Sequence, residues 1–204
     1  MKDRRDSLAA LIEMQIQKGS PYLDLVLARS EQEFDAAFWA ILEEKLTHLE
    51  KNRKLFGGHS EDQLTAVLVG ALNFLGLRTT SQEYSNGLVD ITSVGGCTPR
   101  RIKLGEAKIY AGPANHMRGI DQLLTRYTTG RETTGYLLSY VRHGNIKKIT
   151  LRLRAKLNER KPVQQIGNCE DHTLKWSFTT KHDHISGERL SLAHVGCNLY
   201  VEKG

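Results

Sequence analysis

In EQEFDAAFWAILEEKLTHLEKNRKLF, Phe34, Phe38, Ile41, Leu42 and Leu46 form an apolar stripe, and Glu and Lys fill the opposite side. That spacing is the signature of a helix with one buried face. DSLAALIEMQIQKG carries a similar pattern, so residues 1–55 read as helical, with a turn at GSPYLD between the two segments. Gly57 and Gly58 stop the second one.

From Ser60 the pattern changes. SEDQLTAVLVGALNFLG opens with a capping box, Ser60 to Gln63, and ends at Gly76. Strand-like runs follow in LRTTSQEY, GLVDITSV and RRIKLGEAKIY. GPANHMRGIDQLLTRYTTG reads as a helix, with Pro113 in its first turn and Gly130 past its end. TTGYLLSYV is a short apolar strand. GNIKKITLRLRAKLNERK fits a basic helix better than a strand, and TLKWSFTTKH and ERLSLAHVGCNLYVE read as two further strands. The order helix, three strands, helix, strand predicts an α/β or α+β fold with a sheet flanked by helices. The boundary falls after residue 56, with a helical region at 1–56 and a sheet domain at 57–204.

Three acids break the apolar pattern. On one strand face Ile102 and Leu104 are followed by Glu106 and Lys108; on another, Asp90 sits with Leu88, Thr92 and Val94. A hairpin through GGCTP would bring Asp90 to Glu106 and Lys108. Glu61 extends the apolar stripe of Leu64, Leu68 and Leu75 on the preceding helix. Singly, each has an ordinary explanation: a first-turn acid, an exposed strand end, a turn cap. Together, inward-leaning acids repel unless a cation lies among them, and a set of carboxylate oxygens suits Mg²⁺.

On the next helix Arg118, Gln122 and Arg126 make a polar stripe at i, i+4 and i+8, while Met117, Ile120, Leu123, Leu124 and Tyr127 supply the apolar side. Two arginines and a glutamine facing a metal site suit phosphate contacts. Residues 142–161 hold Arg142, Lys147, Lys148, Arg152, Arg154, Lys156, Arg160 and Lys161 against Glu159 alone, a net +7 beside +6 for the whole chain. Such a block fits phosphate binding without sequence reading. Arg100, Arg101 and Lys103 add positive charge near the hairpin.

Composition narrows the class. The 204 residues, 39% hydrophobic and 25% charged, are ordinary for a globular protein. Three cysteines, Cys97, Cys169 and Cys197, make no disulfide framework and point to a reducing compartment. No segment approaches the roughly 20 apolar residues of a membrane span, and the N-terminus lacks a signal-peptide core. The expectation is a cytoplasmic protein without a membrane partner. Cys169, His172, His182 and His184 match no standard zinc spacing.

The motif Asp90-x15-Glu106-x-Lys108, after a helix led by Glu61, resembles the PD-(D/E)xK nuclease superfamily over roughly Ser60 to Val141. The resemblance implies a restriction-endonuclease-like core, a central mixed sheet flanked by helices. It implies Mg²⁺ or Mn²⁺ held by Asp90, Glu106 and the Ala107 carbonyl, with Glu61 as accessory ligand and Lys108 orienting the attacking water. Val89 stands where the motif's name has Pro. Four residues separate Gln122 from Tyr127, where the RecB-like branch has three. The implied activity is a metal-dependent endonuclease acting on DNA, in a restriction or anti-phage setting. Asp90, Glu106, Lys108, Glu61 and Gln122 would form the site, with Arg118, Arg126, Arg142, Lys147, Lys148, Arg152 and Arg154 on nucleic acid. Residues 1–56 would serve oligomerisation or partner docking. The alternative is a nucleic-acid-binding or effector-complex subunit that does not cut alone.

Overall fold

The computed structural model describes residues 10, 13–14, 19–84, 88–96 and 100–202. Most of DSLAALIEMQIQKG, Cys97 and the tip of the GGCTP turn lie outside these residues.

Pro21 opens helix α1, Pro21–Leu27, so GSPYLD leads into a helix and is not a turn. Proline fits a first helical position because its missing N–H has no partner there and its φ is already helical. Helix α2, Glu31–Lys51, starts at a capping box between Ser30 and Glu33, and a single turn, α3, Arg53–Phe56, follows it. Helix α4, Glu61–Leu72, starts at the Ser60–Gln63 capping box, with Gln63 N–H donating to Ser60 Oγ at 3.2 Å. The helix ends before Leu75, which is exposed; Leu72 completes the buried stripe with Leu64 and Leu68.

LRTTSQEY splits into β1, Leu77–Thr80, and β2, Glu83–Tyr84, at a bend where Gln82 has φ 53°. GLVDITSV likewise splits into β3, Leu88–Val89, and β4, Ile91–Gly95, with Asp90 at the break. Leu88 is therefore exposed and does not share a core face with Thr92. The chain continues through β5, Arg101–Ile109, α5, Pro113–Gln122, a π-helical turn, Leu123–Tyr127, and β6, Thr134–Val141. Helix α6, Ile146–Arg160, then β7, Gln165–Asp171, β8, Ser177–Asp183, and β9, Arg189–Asn198, complete it. β7 escapes a pattern reading because it is a polar edge strand with a register shift between Ile166 and Glu170.

The fold is mixed α/β. Seven strands lie in the order β1-β4-β5-β6-β9-β8-β7, and β2 and β3 form a separate ribbon. β5, β6 and β9 run parallel at the centre, and the remaining pairs are antiparallel. Parallel neighbours need crossover helices, and α5 and α6 supply them on one face of the sheet. Helices α2 and α4 cover the other face. The stripe Phe34, Phe38, Ile41, Leu42 and Leu46 is buried there in one core with Tyr136, Leu138 and Tyr140. It is an intramolecular packing face, and α2 and α4, on either side of residues 56/57, contribute to the same core.

The first half of β5 carries a buried ionic cluster. Lys103 is fully buried, with its Nζ 2.5 Å from Glu31 Oε1 and 2.6 Å from Asp35 Oδ1. Arg101 Nε lies 3.4 Å from Glu31 Oε2, and its Nη1 donates to the Ala28 carbonyl. These two residues pin α2 to the sheet. They do not extend the basic surface expected beside the hairpin, where Arg100 alone is exposed.

Candidate active site

β4 pairs with β5 only as far as Ile91 opposite Gly105, so the last residues of β5 run past their antiparallel neighbour. Two carboxylates continue the ladder. Ala107 N–H donates to Asp90 Oδ2 at 3.0 Å, and Ile109 N–H donates to Glu61 Oε2 at 2.7 Å. The break at Asp90 and the capped start of α4 thus place two acids against one strand end. Between Ala107 and Ile109, Lys108 turns to the α5 side of the sheet, as does Glu106.

The expected set converges. Lys108 Nζ lies 2.7 Å from Glu106 Oε1, 3.5 Å from Glu61 Oε1 and 3.8 Å from Asp90 Oδ2. Glu106 is 1% exposed and its Oε2 meets no donor. Burial first, then the charge of Asp90, raises Glu106 from 4.5 to about 7, although Lys108 opposes the shift. Burial alone would lower Lys108; the hydrogen bond and charge of Glu106, with Asp90 and Glu61, hold it above its usual value. Ala107 is buried in the opposite core and touches the site through its backbone. Among the described residues, no group of three or more His, Cys, Asp or Glu is arranged round a metal position. The ammonium of Lys108 lies within 4 Å of all three acids.

Beside this cluster opens a cleft of about 460 Å³, lined by Glu61, Lys108 and the polar side of α5: Asn115, Arg118, Asp121, Gln122 and Arg126. The stripe Arg118, Gln122 and Arg126 is where the spacing put it. Gly119 lets α5 approach: a Cβ there would stand 2.7 Å from Leu137 Cδ1 and 3.6 Å from Glu106 Cγ. A larger groove of about 650 Å³ lies between α2 and α4, remote from these groups.

Asn115 and Asp121 line the cleft and escape the sequence reading. Asn115 lies three residues before Arg118, on the same helical face, so its signal was present. Its Oδ1 is buried without a partner. Tyr127 lies on the apolar side, where the spacing puts it, and is buried in the core with Ile120, Leu123 and Leu124. A π-turn, closed by Thr128 N–H donating to Leu123 O at 3.1 Å, leads from Gln122 to Tyr127. Burial raises the Tyr127 hydroxyl first, and then the charges of Glu106 and Asp90, which places Tyr127 within their field.

The basic residues divide. Lys147, Lys148 and Arg152 are exposed on α6. Arg154 is tied to Asp171 at 2.5 Å and to the Cys169 carbonyl, and Arg142 donates to the His59 carbonyl at the start of α4. Those two side chains are engaged within the fold, unlike the three exposed on α6. Cys169, His172, His182 and His184 each bond to different partners and form no metal group.

No family model, curated protein or solved structure matches the chain. Among the described residues no helix is long and apolar enough to cross a membrane.

Proposed function

We propose that this protein is a divalent-cation-dependent nuclease with a restriction-endonuclease-like core, cutting phosphodiester bonds in DNA. The observation that carries the reading is the convergence of Asp90, Glu106, Lys108 and Glu61 at the end of β5, beside a cleft lined by Arg118, Gln122 and Arg126.

Asp90 and Glu106 would hold Mg²⁺ or Mn²⁺, with Glu61 beside them. Glu106 suits such an ion: a fully buried carboxylate with an oxygen lacking any donor is poorly solvated as an anion, and a hard cation relieves it. When bound, such an ion lowers the pKa of water and neutralises phosphate charge. The protein's own groups do the rest. Arg118 and Arg126 anchor phosphate oxygens in the cleft. Gln122 orients the scissile phosphate through its amide. Lys108 would direct its ammonium at the attacking water and at the charge that develops on the phosphate. Lys147, Lys148 and Arg152 extend the contact along the backbone without reading bases.

The test incubates purified protein with plasmid, linear and single-stranded DNA and with RNA, in Mg²⁺, Mn²⁺ or EDTA, beside Lys108→Ala. Wild type should cut DNA with either ion and not in EDTA, and Lys108→Ala should cut at least about 100-fold more slowly. DNA retained with a steep salt dependence but never cut would favour a binding-only subunit. Equal behaviour of wild type and variant in every condition would end the catalytic assignment.

A further inference from the structure

Three histidines lie buried between α5 and the sheet, His116 on α5 itself, outside the cluster described above: His116 and His182 at 1% exposure and His194 at 2%. They belong to one hydrogen-bonded line through four elements and a loop. His116 Nδ1 is 3.0 Å from Ser139 Oγ, and His116 Nε2 is 2.8 Å from His194 Nδ1. His194 Nε2 is 2.7 Å from Thr180 Oγ1, which is 2.8 Å from His182 Nε2. His182 Nδ1 is 2.9 Å from the Val163 carbonyl.

One end fixes every proton in this line. A carbonyl only accepts, so His182 carries its proton on Nδ1 and accepts at Nε2. Thr180 must then donate to His182 and accept from His194 Nε2–H. His194 Nδ1 accepts from His116 Nε2–H, and His116 Nδ1 accepts from the Ser139 hydroxyl. All three rings are neutral and every ring nitrogen is satisfied. A protonated ring would break the order, and burial pushes all three rings toward the neutral form.

The line starts where the site is. Ser139 is the register partner of Lys108 across β5 and β6, so the two side chains share a sheet face. His116 sits directly after Asn115 and two residues before Arg118, both of which line the cleft. Apolar residues could fill the same volume, but only a fully satisfied polar line fixes the rotation of α5 about its axis.

We infer that His116 and Ser139 are positioning residues: the one-way line from Val163 to Ser139 locks the first turns of α5 so that Asn115 and Arg118 face the cleft. The inference rests on the cleft being the functional site, but its test does not need cleavage.

Nitrogen-15 NMR of the full chain at neutral pH should show His116 and His194 as Nε2–H tautomers and His182 as Nδ1–H. Ser139→Ala leaves His116 Nδ1 without a donor; amide exchange at residues 116–120 should quicken about tenfold. Exchange in α4 and β9 should stay within twofold of wild type. Ser139→Thr keeps the hydroxyl, and a void of about 20 Å³ beside Ser139 and His116 accepts its methyl, so protection should return. If the wild type cuts DNA, Ser139→Ala should raise KM more than it lowers kcat. Other tautomers, unchanged exchange in α5, or equal quickening throughout the protein would overturn the positioning role. A wild type that cuts nothing would sink the nuclease reading and leave the tautomer and exchange results to decide this one.

Discussion

Replacing Lys103 with alanine is expected to cost about 3–5 kcal/mol of folding stability, read as a lower midpoint in urea with the slope unchanged. Lys103 is fully buried with its ammonium between Glu31 and Asp35. Its removal leaves Asp35 facing the core. Burial already raises Asp35 above the usual carboxylate range, and Lys103 is what opposes that shift. Without the lysine, Asp35 should take up a proton on folding, so the loss will be larger at pH 8 than at pH 5. Thr134, whose hydroxyl reaches Asp35 Oδ2 at 3.4 Å, cannot replace a charge. Lys103→Met with Asp35→Leu should recover most of the stability, because an apolar pair can fill what an ion pair filled. A single substitution costing under about 1 kcal/mol would mean that α2 does not depend on this cluster.

Glu106→Gln should separate stability from activity. Glu106 titrates near 7 in the folded protein and near 4.5 unfolded. Between those values the folded state holds a proton that the unfolded chain has lost. Stability of the cation-free protein should therefore fall as pH rises from about 4.5 to 7, by up to roughly 1.4 kcal/mol per pH unit from this group. Glutamine keeps the shape and cannot ionise, so the decline should flatten and the variant should melt above wild type at pH 8. DNA cleavage should drop at least about 100-fold. A variant less stable than wild type at pH 8 would contradict the strain assigned to this buried carboxylate. Function held at a cost in stability is common at such sites.

Much of this was legible along the chain, for reasons specific to each element. The α2 stripe and the Ser60 cap declared themselves by spacing, and both helices form, although α4 stops at Leu72 and leaves Leu75 exposed. Asp90, Glu106, Lys108 and Glu61 were visible because charge interrupted otherwise apolar periodicity. Their mutual distances were not visible. Those depend on β4 stopping at Ile91 and on two side chains capping the free N–H groups of β5. Lys103 and Arg101 misled because a basic residue in a strand looks exposed until its acid, some 70 positions away, is known. The histidine line was illegible, since His116, His182 and His194 meet only through the order of strands β6, β9 and β8.

Whether Asp90 and Glu106 take a divalent cation in exchange for the ammonium of Lys108 decides most of this reading. The direct measurement is calorimetric titration of Mn²⁺ into the protein at pH 6 and pH 8, in buffers of different ionisation enthalpy. Binding should be tighter at pH 8, should release a proton at pH 6, where Glu106 is still largely protonated, and should vanish in Asp90→Asn. No Mn²⁺ binding at either pH, or binding that Asp90→Asn leaves unchanged, would show that these carboxylates do not form a cation site.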